Sequence, residues 1–93
     1  MEIKFTWDSN KNASNVLKHG IDFETAVEVF FDSKVAVVFS RREGGEDRYK
    51  AMGRVKLLNG RMITVVVFSL PSEFETRIIS ARRATRGERK LYG

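Results

Sequence analysis

Apolar positions recur along this chain with two periods, near two and near 3.6, and the changes of period mark its elements. Glu2 to Trp7 alternates polar and apolar residues and predicts a short strand. Asp8, Ser9 and Asn10 offer caps for a helix over Lys11 to His19, with Ala13, Val16 and Leu17 on one side. Gly20 takes the place of a helix-ending glycine, and Lys18 and His19 suit the negative end of the helix dipole. Asp22 caps a second helix. Its Phe23, Ala26, Val27, Phe30 and Phe31 fall at i, i+3, i+4, i+7 and i+8, an apolar stripe that predicts a main supplier of the core. Val35 to Phe39 is a short β-branched strand. The polar loop RREGGED leads to a strand over Arg48 to Leu58. Asn59-Gly60 signals a type I′ turn, and Arg61 to Leu70, apolar on both faces, predicts a central strand. Pro71 to Glu73 turns the chain into a last strand, Phe74 to Arg82. Thr85 and Glu88 have capping-box spacing and open a short C-terminal helix. The order β-α-α-β-β-β-β-α predicts one α+β domain over residues 1–93. It would be an antiparallel β-meander with two N-terminal helices and a short C-terminal helix, covered by helices on one face.

A turn at Asn59-Gly60 also sets a register: Leu57 opposite Met62, Val55 opposite Thr64, Gly53 opposite Val66 and Ala51 opposite Phe68. That apolar face should carry the helices. The other face of the same strand shows Arg48, Lys50, Met52, Arg54 and Lys56, across from Ile63, Val65 and Val67. Solvated faces usually mix signs; this one is basic at every position but Met52. In the last strand Ile78 and Ile79 are neighbours, so its parity is open: either Arg77 with Arg83, or Arg82 alone, joins the basic face. A charge inside an apolar strand is costly without a partner, so each arginine needs a carboxylate or an opening to an anion.

Charge and composition narrow the partners. The chain has 93 residues, a net charge of +5 and a pI near 9.9, a balance that suits nucleic acid or an acidic protein. It has no cysteine, which excludes disulfides, thiolate zinc sites and thiol nucleophiles. No acidic or histidine cluster has metal-ligand spacing. No apolar run suggests a membrane span or a signal peptide, so a cytoplasmic location is expected.

Four segments resemble a known family: FTWD at 5–8, KHGIDFETAVEVF at 18–30, GEDR at 45–48 and RIISARRATRGERKLY at 77–92. They are similar to BrnT-type toxins of bacterial type II toxin–antitoxin operons. The resemblance implies a RelE-like fold and RNA cleavage with no metal or other cofactor. It also implies neutralisation by a BrnA-like antitoxin with a DNA-binding ribbon-helix-helix region, in a heterotetramer holding a toxin dimer and repressing its own operon.

Cleavage of that kind uses the RNA 2′-hydroxyl as nucleophile. The protein must help remove its proton, stabilise charge on the phosphorane and help the 5′-oxygen leave. Arginine meets phosphate oxygens bidentately and suits the second task, which points to Arg48, Arg77 and Arg82. Lys50, Arg54, Lys56 and Arg83 are the expected RNA-backbone contacts. His19, the single histidine, has two readings: a residue capping a helix dipole, or an acid–base group. Glu46, two residues from Arg48, is a base beside an arginine or one half of a salt bridge. Tyr92 is expected to pack the last helix. The alternative function is a binding module that holds nucleic acid or an acidic partner and cleaves nothing.

Overall fold

Residues 2–58 and 60–93 are described by the computed structural model. The elements are β1 (Lys4–Thr6), α1 (Ser9–His19), α2 (Phe23–Ala26) with a 3-10 segment (Val27–Phe31), β2 (Ala36–Glu43), β3 (Glu46–Leu57), β4 (Gly60–Ser72), β5 (Glu75–Arg83) and α3 (Arg86–Tyr92). The sheet order is β1-β5-β4-β3-β2. Strands β2 to β5 form the expected antiparallel meander, and β1 adds to its edge, parallel to β5.

The caps form where the sequence placed them. Asp8 accepts from the amides of Asn10 and Lys11, Asp22 from that of Thr25, and Gly20 has φ 71°. Thr85 and Glu88 exchange both hydrogen bonds of a capping box.

The turn between β3 and β4 differs. Asn59 lies outside the described residues, but Gly60 belongs to β4 and pairs with Leu57. Val55 therefore faces Met62, Gly53 faces Thr64, Ala51 faces Val66 and Tyr49 faces Phe68. Each partner is displaced by two from the expected register. Because side chains alternate with period two, a slip of two leaves every residue on its expected face.

The apolar stripe of the second helix also shifts. After Ala26 the helix tightens to three residues per turn. Phe23, Ala26 and Val29 then point inward and are fully buried, while Phe31 turns out and is 77% exposed. Val29 packs over Gly53: a Cβ built there would lie 2.8 Å from the Val29 carbonyl oxygen and 3.1 Å from its Cγ1. Gly53→Ala should therefore cost about 1–3 kcal/mol through overpacking. That is a fall in Tm of roughly 4–8 °C per kcal/mol for a domain of this size. An unchanged Tm would mean that the 3-10 segment lifts off the sheet freely.

On α1 the buried residue is Asn15; Ala13 and Val16 are exposed, as is Leu17 at 89%. The reason lies at the sheet edge. β1 pairs with Glu75 to Arg77 only, so the outer edge of β5 beyond that needs other partners. The Asn15 amide supplies them: it accepts from the Ala81 N–H at 3.1 Å and donates to the carbonyls of Ala81 and Ile21 at 2.8 and 2.9 Å. A polar residue thus occupies the position that periodicity assigns to an apolar one.

β3 meets the same need where β2 begins, opposite Met52. Beyond it, Asp32 accepts from the Arg54 N–H and Glu28 from the Lys56 N–H, at 2.8 and 3.1 Å.

Helices lie on both faces of the sheet, not on one. The first face carries the main core of Ile21, Phe23, Ala26, Val29, Ala51, Val55, Val66, Phe68, Ile78 and Ala81. The second carries a smaller one, in which Tyr92 of α3 meets Met52, Val65 and Ala84. The Tyr92 hydroxyl donates to Asp32 at 2.5 Å, locking α3 in place. Leu91, next to Tyr92 in α3, is 59% exposed.

Candidate functional site

The basic residues of β3 keep the face expected of them, and β5 settles its own parity by a bulge. Ile78 faces Phe68 and Ala81 faces Val66, both in the main core. Two residues, Ile79 and Ser80, separate them, one more than strict alternation allows, and the register shifts between Val67 and Phe68 to absorb the extra residue at Ile79. The bulge puts Arg77, opposite Ser69, and Arg82, opposite Val65, on the same face. The pairing is therefore Arg77 with Arg82, which neither expected parity provided. Arg83 faces Thr64 on the side of the main core, away from Lys50, Arg54 and Lys56.

Three groups follow one another along this face. From Arg48 to Lys56 they span about 27 Å at the usual strand rise. At the first end, Arg48, Ser69 and Arg77 sit in one row on three adjacent strands. Arg48 Nη1 donates to Glu43, whose other partner is Arg41 at 3.2 Å. Glu46 shares the face as expected, with Oε1 4.0 Å from Arg48 Nε. Arg48 Nε itself makes no hydrogen bond and is shut off from solvent, as is the Ser69 Oγ. Arg77 reaches Glu75 at 3.4 Å, and Glu75 also accepts from Thr6.

The middle group is closed by α3. Glu88 accepts from both terminal nitrogens of Arg82, at 2.7 and 2.9 Å, and from Lys50 at 3.2 Å. The Arg82 fork is the first cause that holds the Glu88 carboxyl far below the usual glutamate range, against the opposing effect of burial. Arg82 is raised in turn. The expectation that Arg82 needs an anion is thus met within the chain.

At the far end Arg54, Lys56 and Arg61 gather in an open groove with Glu28, Phe31 and Asp32. The Tyr92 hydroxyl, followed by the Lys34 and Arg54 amides, lowers the Asp32 carboxyl, so Asp32 stays charged beside them. His19 joins none of these groups. It is exposed at the end of α1, in a groove with Lys11, Ser14, Asn15, Lys18, Ile79 and Ser80, around the β5 edge.

Sequence reasoning missed Ser69, Glu43 and the second role of Glu88. The capping box gave a signal for Glu88 but accounted for one carboxylate oxygen only. Ser69 gave no signal, since one serine in an apolar strand is unremarkable.

A family model described as "Ribonuclease toxin, BrnT, of type II toxin-antitoxin system" matches residues 7–88. The chain belongs to the BrnT family. Among solved structures it is similar to the Brucella abortus ribonuclease toxin BrnT, determined at 1.1 Å resolution. The two are 28% identical, with a TM-score of 0.66, covering 90% of this chain and 99% of that one. No curated protein sequence matches the chain. The BrnT match takes in His19 and every basic residue of the sheet face, together with Glu88, and ends before Tyr92. Membership makes the protein a ribonuclease toxin of a type II toxin–antitoxin system, with RNA as target and an antitoxin protein as partner. Among the described residues no helix is long and apolar enough to cross a membrane.

Proposed function

We propose that this toxin cleaves RNA without a metal, holding the scissile phosphate on the basic sheet face at the Arg48–Arg77 end. The observation that carries the proposal is the row itself. Two arginines on neighbouring sides of a central strand face one another's space, with a carboxylate, Glu46, beside the first. Among the described residues no three histidine or acidic side chains gather as metal ligands do.

The chemistry fits these groups. The 2′-oxygen attacks phosphorus and loses its proton to Glu46, the 2′-O–P bond forms and the P–O5′ bond breaks. The products are a 2′,3′-cyclic phosphate and a 5′-hydroxyl protonated by solvent water, to which Glu46 then returns its own proton. Arg48 and Arg77 stabilise the charge that builds on the phosphorane oxygens. Arg54, Lys56 and Lys50 line the course of the flanking backbone, and each phosphate contact contributes to a salt-dependent affinity. Arg82 braces α3 through Glu88 and acts on the substrate only through the field of that pair. His19 and Arg83 stand apart from the row, so we leave both out of the central set. The antitoxin is BrnA-like, with a ribbon-helix-helix region, in a heterotetramer built on a toxin dimer, and the toxin acts on cytoplasmic RNA.

The test uses the purified chain, freed of antitoxin, with single-stranded RNA in EDTA. Cleavage that leaves 2′,3′-cyclic phosphate ends is expected. Cleavage that appears only on adding magnesium or manganese would contradict the mechanism. Binding of RNA with no cleavage, together with no growth arrest on induction, would favour the binding-module reading.

A further inference from the structure

We propose that Arg48, Ser69 and Arg77 form a seat for a single backbone phosphate, in which the Ser69 hydroxyl donates to a non-bridging oxygen between the two guanidinium groups. This rests on the ribonuclease reading above and names the residue that fixes the phosphate in it. Ser69 stands in register with Arg48 on one side and Arg77 on the other. It is fully buried, and its Oγ has no hydrogen-bond partner within the protein. A buried hydroxyl in that state is unfavourable, and an apolar side chain of similar size serves packing as well or better. On the same face β4 uses Val65 and Val67, which is what packing alone selects there.

The arginines on either side are prepared in a matching way. Glu43 occupies one end nitrogen of Arg48, but the Nε edge makes no hydrogen bond. That edge of a guanidinium presents two parallel donors, the geometry that meets two phosphate oxygens. Arg77 is half-exposed and its contact to Glu75 is long, so its head is free to turn inward. Strand spacing sets the two arginine Cα atoms about 10 Å apart, within reach of both side chains over the serine between them. Arg48 and Arg77 flank Ser69 on the two neighbouring strands, so a sideways movement of their heads is the way a phosphate would enter.

The experiment follows the arginine Nε–H resonances of the ¹⁵N-labelled, antitoxin-free toxin while a fully 2′-O-methylated oligonucleotide, which cannot be cleaved, is added. Inorganic phosphate is titrated in parallel. Shifts at Arg48 and Arg77 with the oligonucleotide are expected, and these need no variant. Ser69→Ala should then weaken oligonucleotide binding about tenfold to a hundredfold, the effect of losing a hydrogen bond to a charged group. Its Tm should stay level or rise, because the unsatisfied hydroxyl is gone. A purely structural serine predicts the reverse pattern, a lower Tm with unchanged binding, and that result overturns the proposal. Shifts confined to Arg54 and Arg61 also overturn it, as does the absence of any shift at Arg48 and Arg77 with the oligonucleotide. Phosphate seated in the row without any RNA cleavage would leave the seat standing and remove the ribonuclease mechanism instead.

Discussion

Glu88→Ala should lower the stability of this chain by about 2–3 kcal/mol, since it removes both the shared partner of a part-buried ion pair and the acceptor of a capping box. The Glu88 side chain is only 11% exposed, and its carboxylate faces Arg82 and Lys50 together. Removing it strands two cations against the small core of Met52, Val65 and Tyr92. It also undoes the capping box that starts α3. Arg82→Lys should be destabilising in the same direction, since lysine keeps the charge but loses the fork that holds both carboxylate oxygens. The effect has a pH signature. A carboxyl whose folded pKa is depressed contributes stability that is complete above its unfolded value. That contribution is lost as pH falls from the ordinary glutamate range, near ~4.3, toward the lower folded value. The stability gap between parent and Glu88→Ala should therefore be full at neutral pH and shrink in acid. Urea midpoints measured from neutral pH down to the acid limb check this. A gap that keeps its size in acid would show that Glu88 acts by packing and capping alone.

The second large effect falls on rate. Arg48→Lys and Arg77→Lys should each slow RNA cleavage by about tenfold to a thousandfold, comparable to losing one donor to a developing oxyanion. Lysine preserves the charge, so binding driven by the overall field should fall much less than the rate. Arg77 is half-exposed and its ion pair is long, so its replacement should leave Tm nearly unchanged. Arg83→Lys, on the opposite face of the sheet, is the control and should cleave like the parent. Equal, small losses at all three positions would mean a diffuse basic surface without a defined site.

The pattern of the chain carried most of this fold and the outline of the face. Caps are local: Asp8, Asp22, Gly20 and the Thr85–Glu88 box each depend on a few neighbouring residues, and each forms as its residue type predicts. The faces of β3 and β4 are equally legible, because parity survives the two-residue slip in their register. What escaped depends on contacts distant in sequence. The bulge at Ile79 reverses half of β5, and adjacent isoleucines announce only that parity is ambiguous. Asn15 is buried because β1 is too short to cover β5, which no window around Asn15 reveals. α3 crosses to the basic face for the same kind of reason, through Tyr92 meeting Asp32 sixty positions away. The inward turn of Val29 follows from a switch to 3-10 geometry above Gly53, a close approach that only the folded chain displays.

The arginines at the Arg48–Arg77 end, and no metal, are proposed to stabilise the cleavage of RNA. Single-turnover cleavage of one single-stranded RNA in EDTA, run side by side for the parent, Arg48→Lys and Arg83→Lys, tests it most directly. The prediction is cleavage by the parent and by Arg83→Lys at the same rate, and at least about a tenfold slower rate for Arg48→Lys. Equal rates for all three proteins, or no cleavage until a divalent metal is supplied, would contradict it.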